Sequence, residues 1–209
     1  MIAISAGAQP PLATGRNANV SEDGLHLVDP SAMQGAWVRS DLDLSRYSKV
    51  YFYGTGVGFR EVAGPDVRTG SRFDSEEFPV SPETQQEIRA TFRQTFFDDL
   101  HDLDRFAFSE LPDRDVLVAQ GFLVDVVSRI PPQSAGGRST TLQRTYEATI
   151  VLEIRDSMSH DILARTVERE LPQGSINASD VPRETRLLLG RWSRLLTERL
   201  QELAELAGD

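Results

Sequence analysis

Apolar and polar residues alternate regularly from Tyr146 to Arg155. This period of two is typical of a strand that packs one face on a core and leaves the other face in water. A polar stretch from Asp156 to Asp161 follows as a turn signal, and Ile162 to Arg169 has enough β-forming residues for a returning strand. The pattern therefore predicts an antiparallel hairpin in which Glu153 pairs with Arg165, because that register joins opposite charges and a shift by one residue would not.

Two further stretches have the composition of central strands. The segment from Val50 to Arg60 is dense in aromatic and β-branched residues, and Val116 to Ile130 is apolar on both alternations, as expected for a strand buried on both faces. Gly54, Gly56 and Gly58 share one face of the earlier strand. A phosphate-binding loop would need a helix directly after the glycines. None is predicted there, so we interpret them as a bulge or a place of close packing.

Two amphipathic helices are also predicted. The first begins at Ser81, an N-cap residue followed by proline, and its apolar residues recur every four positions. They are Ile88, Phe92, Phe96 and Leu100. The second begins after Asp180, has Pro182 in its first turn and carries a broader stripe that includes one arginine. Its members are Leu188, Leu189, Trp192, Leu195, Leu196, Arg199, Leu203 and Leu206. We expect both stripes to pack on the apolar face of the hairpin.

The order of these elements, β-α-β-β-β-α, predicts an α+β fold. We expect a two-layer sandwich in which a mixed, mostly antiparallel sheet carries two helices on one face. The Val50 strand is expected to cross through the first helix to a strand of the same sheet. Residues 23–209 are long enough to form a single domain of this kind. Residues 1–22 lack periodicity, and we expect a disordered tail or the remnant of a signal there.

Composition excludes several classes of function. The 209 residues carry a net charge of -10. A protein that follows nucleic-acid phosphates needs a basic face, so we predict no nucleic-acid partner. The chain contains no cysteine, which excludes disulfides, thiolate nucleophiles and zinc sites with sulfur ligands. It has no apolar run long enough for a membrane-spanning helix, so no transmembrane segment is predicted.

The sequence shows no reactive motif. The three histidines, His26, His101 and His160, fall in separate predicted elements and form no spaced metal-binding pair. The chain contains neither a Gly-x-Ser-x-Gly elbow nor a Gly-Lys-Ser/Thr phosphate loop. A triad assembled in space stays open, because sequence order does not determine it. We therefore predict no catalytic residue, no metal site and no cofactor.

Two polar connections are the candidate binding segments. Residues 61–79 form a long connector, and a connection of this length is usually either functional or disordered. The segment from Gln133 to Thr145 is either a binding loop or a flexible hairpin connection. The candidate binding residues are the arginines of these two segments: Arg68, Arg72, Arg138 and Arg144.

Three groups of residues carry a family resemblance. They are Leu152–Ser157, Ile162–Arg165 and Glu168–Arg169 in the hairpin, Trp37–Arg39 and Asp43–Val50 before it, and Trp192 in the last helix. Together they are similar to bacterial domain-of-unknown-function family 3313, a family of predicted envelope lipoproteins, over about residues 23–203. The resemblance implies a location in the cell envelope or periplasm, and it assigns no functional residue. Members usually begin with a signal that ends in a lipidated cysteine, which this sequence does not show, and Gly54-Thr55-Gly56 replaces their proline-bearing strand end.

Three functions follow as hypotheses. The first is a non-catalytic envelope domain that binds or scaffolds a partner, either a protein or an envelope component. The second is a carrier of a small molecule or lipid, with its ligand beneath the Gln133–Thr145 loop. The third is a hydrolase whose site is assembled from loops. A deep pocket that holds a histidine or two carboxylates would favour the hydrolase, and an exposed apolar patch would favour the scaffold.

Overall fold

The computed structural model of the chain describes residues 11–29, 31, 33–62, 77–130, 141–142, 145–170, 176–177 and 181–206. Nine strands and two α-helices lie within these residues. In chain order they are β1 (His26–Leu27), β2 (Gly35–Val38), β3 (Lys49–Phe59), α1 (Pro82–His101), β4 (Ala107–Ser109), β5 (Val116–Ser128), β6 (Thr141–Leu142), β7 (Tyr146–Asp156), β8 (Ile162–Glu170), β9 (Ile176–Asn177) and α2 (Val181–Leu206).

Seven of the described strands form one mixed sheet in the order β1-β2-β8-β7-β5-β3-β4. β3 runs parallel to β4 and β5, and the remaining pairs are antiparallel. The chain leaves β3, passes through α1 and returns to β5 in parallel, as a β-α-β crossover requires. The predicted α+β architecture is therefore confirmed.

The hairpin has the predicted register. Glu153 pairs with Arg165 and Val151 pairs with Val167, so charges face charges and apolar residues face apolar residues. One irregularity follows Ile154, where the pairing shifts by a residue just before the turn. Alternation of the buried face is therefore enough to define this central pairing.

Helix α1 contributes its predicted stripe to the core, and α2 contributes most of its predicted stripe together with Leu200, which was not predicted. On α1 the buried residues are Ile88, Phe92, Phe96 and Leu100, preceded by Ser81, whose side chain caps the helix by accepting the Thr84 N–H. On α2 they include Leu188, Leu189, Trp192, Leu196, Leu200 and Leu203. These residues share one cluster with Ile150, Leu152 and Ile154 of β7. The apolar face of the hairpin is thus covered by the helices, as expected.

The opposite face of the hairpin was expected to remain in water, and this expectation is wrong for two glutamates. Glu147 is 3% exposed and Glu153 is 7% exposed. Arginines cover them: Arg129 lies 2.9 Å from a Glu147 oxygen. Arg165 lies 2.6 Å and Arg155 lies 2.7 Å from the two oxygens of Glu153. Long arginine side chains bury their stems while keeping their charge paired, so a face with polar sequence becomes partly closed.

The glycines of β3 mark a bulge and a close contact, as interpreted from sequence. The pairing with β5 shifts between Phe52 and Gly54, and Gly54 has a φ of 145°. A Cβ on Gly56 would lie 2.6 Å from the ring of Phe122, so that ring occupies the space above the glycine. No helix follows β3 directly, because residues 60–62 are irregular in the described part of the connector.

The sequence predicts short extended pieces from Asp23 to Pro30 and from Ala36 to Arg39, which overlap β1 and β2, but it does not predict β6 and β9. β1 and β2 extend the sheet beyond β8, and β6 pairs with β9. The segment Gln133–Thr145 was interpreted as a loop throughout, which is wrong at its end, because Thr141 and Leu142 belong to β6. Two-residue strands are too short to show a period.

The division of the chain at residue 22 stays a prediction. Part of the expected tail is nevertheless hydrogen-bonded to the sheet. Ala13 donates its N–H to the carbonyl of Leu27 at 2.8 Å, and the carbonyl of Asn19 accepts the N–H of Leu27 at 2.9 Å. Among the described residues, neither helix is long and apolar enough to cross a membrane.

Both helices pack closely on the sheet at Gly121 in β5. A Cβ at this position would lie 2.9 Å from Leu196 of α2 and 2.9 Å from Phe96 of α1. Real Cβ atoms are essentially never this close to a neighbour, so both helices need a residue without a side chain here. The contact sets the distance of both helices from the sheet.

We expect Gly121→Ala to lower the free energy of unfolding by about 1–3 kcal/mol, the usual cost of adding a methyl group to a packed core. Gly190→Ala in α2 is the matched control, because nothing lies within 4 Å of a Cβ there. That substitution should be neutral or stabilise the protein by up to about 1 kcal/mol, since alanine favours helix. Urea unfolding followed by circular dichroism measures both. Equal midpoints for the two variants would contradict the close contact.

The turn of the hairpin is held by the Asp156 carboxylate. One oxygen accepts the N–H groups of Met158 and Ser159 at 2.8 Å each. The other accepts the Tyr47 hydroxyl at 2.7 Å and the Arg46 guanidinium at 2.9 Å. Burial alone would raise the pKa of Asp156, but these hydrogen bonds and the charge of Arg46 outweigh burial and lower the pKa to about 2.

This lowered pKa predicts acid sensitivity. The carboxylate stabilises the fold above pH 4, and its contribution should be lost as the pH falls from about 4 to about 2, because the unfolded chain binds the proton first. A pKa change from 3.8 to about 2 corresponds to about 2 kcal/mol. We expect Asp156→Asn to lose this amount at neutral pH and to show a shallower pH dependence in urea unfolding. Asp104→Asn, at an exposed position, is the control. A pH profile of Asp156→Asn parallel to that of the unmodified protein would refute this role.

Candidate functional site

The four arginines proposed from the sequence, Arg68, Arg72, Arg138 and Arg144, lie outside the described residues. Their role as a binding site therefore stays a prediction. The histidines are described and lie on different elements: His26 in β1, His101 at the end of α1 and His160 in the turn between β7 and β8. Among the described residues no group of three or more histidines, aspartates or glutamates is arranged to hold a metal ion.

A different set of arginines lines a groove between α2 and the end of β8. We call it the α2–β8 groove. It encloses about 400 Å³. Its lining residues are Gln34 before β2, Glu168 and Arg169 in β8, and Arg191, Arg194, Leu195, Glu198 and Arg199 in α2. Four arginines and two glutamates give this lining a net positive charge, in a chain whose net charge is -10.

At the groove, β8 extends beyond the start of its neighbouring strand β2. Antiparallel β2 begins at Gly35, opposite Val167, so residues 168–170 of β8 have no partner on that side among the described strands. The side-chain amide of Gln34 takes the place of a further residue. It donates to the carbonyl of Arg169 at 3.0 Å and accepts the N–H of Arg169 at 2.9 Å. Gln34 therefore satisfies the backbone of β8 and leaves the space beside the strand open.

The inner wall of the groove is an ion-pair chain. The side chain of Glu168 is 9% exposed and accepts the Arg199 Nε–H at 2.9 Å and the Gln34 N–H at 3.3 Å. Arg199 also contacts both oxygens of Glu202 at 2.7 Å. Burial lowers the pKa of Arg199, but hydrogen bonds and charges of Glu202 and Glu168 outweigh burial and raise it overall. The ion pair of Arg199 with Glu168 therefore links α2 to β8.

The other three arginines of the groove, Arg169, Arg191 and Arg194, are not held by close ion pairs as Arg199 is. Arg191 and Arg194 are exposed, and neither makes an ion pair within 4 Å in the described parts of the chain. In the described part of the chain, Arg169 makes a long contact of 3.8 Å with Glu147, and its charge also helps to lower the pKa of Asp125. Leu195 lies between the arginines of α2 and provides an apolar surface. Guanidinium groups without partners bind carboxylates and phosphates through two parallel hydrogen bonds, so the groove is suited to an anion.

Sequence reasoning placed Arg199 in the apolar stripe and Arg191 outside it, but it did not identify the groove. One signal was present in the sequence. Up to residue 194, α2 carries four arginines and one acid, and after residue 194 it carries three acids and one arginine. The helix dipole favours the opposite distribution. Charges placed against the helix dipole do not stabilise the helix, and such departures from local rules are expected at binding surfaces.

Comparisons with known proteins leave the function open. No family model matches the chain, and no curated protein matches it. A homologue of the neuraminyllactose-binding hemagglutinin from Helicobacter pylori has a similar structure, with a TM-score of 0.39, 10% identity, and coverage of 77% of this chain and 83% of that chain. The PelC dodecamer from Paraburkholderia phytofirmans gives a TM-score of 0.31, 9% identity, and coverage of 78% and 90%. Likenesses this distant carry no argument about what the protein binds.

We expect Arg199→Met to lower the free energy of unfolding by about 3 kcal/mol, because it leaves the Glu168 carboxylate buried without its cation. Arg194→Met should change stability by less than about 0.5 kcal/mol, since Arg194 is exposed and makes no ion pair within 4 Å in the described chain, and its charge acts only at longer range on Asp99. Chemical unfolding of both variants measures the difference. A cost for Arg194→Met as large as that for Arg199→Met would show that both arginines are structural.

Proposed function

We propose that the protein is a non-catalytic binding domain whose α2–β8 groove holds an acidic segment of a partner. The observation that supports this most directly is the pairing state of the arginines. Arg199 is paired with Glu168 and Glu202, whereas Arg191 and Arg194 face the same groove without ion-pair partners in the described chain. A cationic groove on an acidic protein attracts a specific anion while the remaining surface repels other acidic molecules.

The lining chemistry favours binding over catalysis. The Glu168 carboxylate is occupied by Arg199 and the Gln34 N–H, so it is a structural anchor. Glu198 is the second carboxylate of the lining. The remaining charged groups are guanidinium groups, which stay protonated and act as donors only. The acidic partner proposed is a protein or an envelope component that carries carboxylates. The proposed location, in the cell envelope or periplasm, is supported by the sequence resemblance alone.

The proposal is tested with a short fluorescein-labelled oligoglutamate as the probe, by fluorescence anisotropy. We expect binding that weakens as salt is added, since exposed charges are screened. Arg191→Gln combined with Arg194→Gln should weaken binding by about five- to thirtyfold, which corresponds to about 0.5–1 kcal/mol for each rim arginine. A labelled oligolysine of the same length should not bind the groove.

The matched control is the double variant Arg16→Gln with Arg114→Gln. It removes the same charge at exposed positions outside the groove. If both double variants weaken oligoglutamate binding equally, the attraction depends on net charge alone and the groove is not the site. Unchanged binding by the groove variant would likewise reject the proposal. Fractionation of the source cells with an antibody tests the location, and recovery in the cytoplasm would contradict it.

A further inference from the structure

The long strand β3 has an unpaired edge along most of its length. The short strand β4 pairs only with residues 49–51 of β3, and no other described strand lies on that side of the sheet. Residues 52–59 therefore pair with β5 on one side and with no described strand on the other. We call residues 52–59 the β3 edge. An unpaired edge presents backbone N–H and C=O groups that an added strand can bind.

The β3 edge lacks the charged and proline residues that usually protect an edge of this kind. It is also accessible, since Tyr53 is 60% exposed and Gly58 is exposed. The pairing with β5 shifts twice along it, between Phe52 and Gly54 and again before Phe59. Such irregularities bend a strand, so the β3 edge suits a short partner strand better than a long flat one.

Two exposed arginines of α1 lie over the β3 edge. The guanidinium carbon of Arg93 is 5.1 Å from the ring centroid of Phe52, and that of Arg89 is 4.8 Å from the ring centroid of Phe59. Arg89 donates to the neutral side chain of Gln85 at 3.4 Å. In the part of the chain that the structure describes, neither arginine makes an ion pair within 4 Å. Positive charge therefore stands over both ends of the β3 edge.

The two faces of the β3 edge differ in chemistry. Phe52 packs against Phe96 of α1, on the face where the arginines lie, and the next residue, Tyr53, points to the opposite face. The side chains of an added strand would alternate in the same way. One set would lie beneath Arg89 and Arg93, where acidic groups fit, and the other set would lie beside Tyr53, where apolar groups fit.

We propose that the β3 edge binds an extended acidic segment of another protein as an additional strand, with alternate carboxylates paired to Arg89 and Arg93. A second copy of this chain is a poorer occupant, because antiparallel pairing of two β3 edges would bring the same arginines together, and like charges repel. The β3 edge is independent of the α2–β8 groove, since β5 and β7 lie between β3 and β8 in the sheet.

The probe is a fluorescein-labelled peptide of alternating glutamate and valine, as long as the β3 edge, with binding measured by fluorescence anisotropy. We expect this peptide to bind about tenfold or more tightly than two matched peptides. One has lysine in place of glutamate, which reverses the charge, and the other has a central proline, which removes a backbone donor. Hydrogen exchange followed by mass spectrometry should show slower exchange of the amides of residues 52–59 when the peptide is bound.

Arg89→Gln combined with Arg93→Gln should weaken binding of the glutamate–valine peptide by about five- to thirtyfold, as expected for the loss of two exposed ion pairs. The matched control is Arg191→Gln with Arg194→Gln, which removes the same charge from α2 in the groove. It should change the affinity by less than about twofold. Since the two surfaces respond to different variants, either proposal can fail while the other stands.

Absence of peptide binding would overturn the inference. So would equal binding of the lysine or proline peptide, protection from exchange that falls outside residues 52–59, or a double variant of Arg89 and Arg93 that binds as tightly as the unmodified protein. Exchange at the β3 edge that slows with rising protein concentration, in the absence of peptide, would assign the edge to a second copy of the chain and would also overturn it.

Discussion

The contact of α1 and α2 with the middle of β5 is the constraint on which the rest of the structure depends. Because Gly121 has no side chain, Phe96 of α1 and Leu196 of α2 both pack against the backbone of β5. Both helices therefore lie close to the same face of the sheet. Their parallel direction follows from the strand order. This arrangement also places the side of α2 next to the end of β8, where the groove lies.

Arginine pairing organises the surface of this protein. Glu147, Glu153 and Glu168 are each buried, and each is matched by at least one arginine within 3 Å. Burial of a carboxylate is costly unless a cation and hydrogen bonds accompany it, and the planar guanidinium supplies both. The described arginines that do not pair with these glutamates include Arg191 and Arg194 of α2, and both line the groove.

Strands and helices with a repeated apolar pattern could be predicted from the sequence, whereas contacts made by single residues could not. The hairpin register and both helices were predictable because alternation and four-residue spacing recur over several turns or pleats. β6 and β9 were not predictable, because two residues show no period. The groove depends on the contact of Gln34 with Arg169. These residues are far apart in the chain, so no local sequence pattern predicts the groove. The charge distribution along α2 was visible, but its meaning required the position of β8.

The parallel pairing of β3 with β5 has a consequence for how the chain folds. Partners such as Lys49 and Val116 are separated by α1 and its connections, whereas β7 and β8 meet through a short turn. Loop-closure entropy grows with separation, so we expect the late hairpin to form early and β3 to dock onto β5 afterwards. During synthesis β3 is nevertheless made first. Its aromatic residues Tyr51 to Tyr53 therefore stay unpaired until β5 has been synthesised. An exposed apolar strand of this kind favours aggregation during folding.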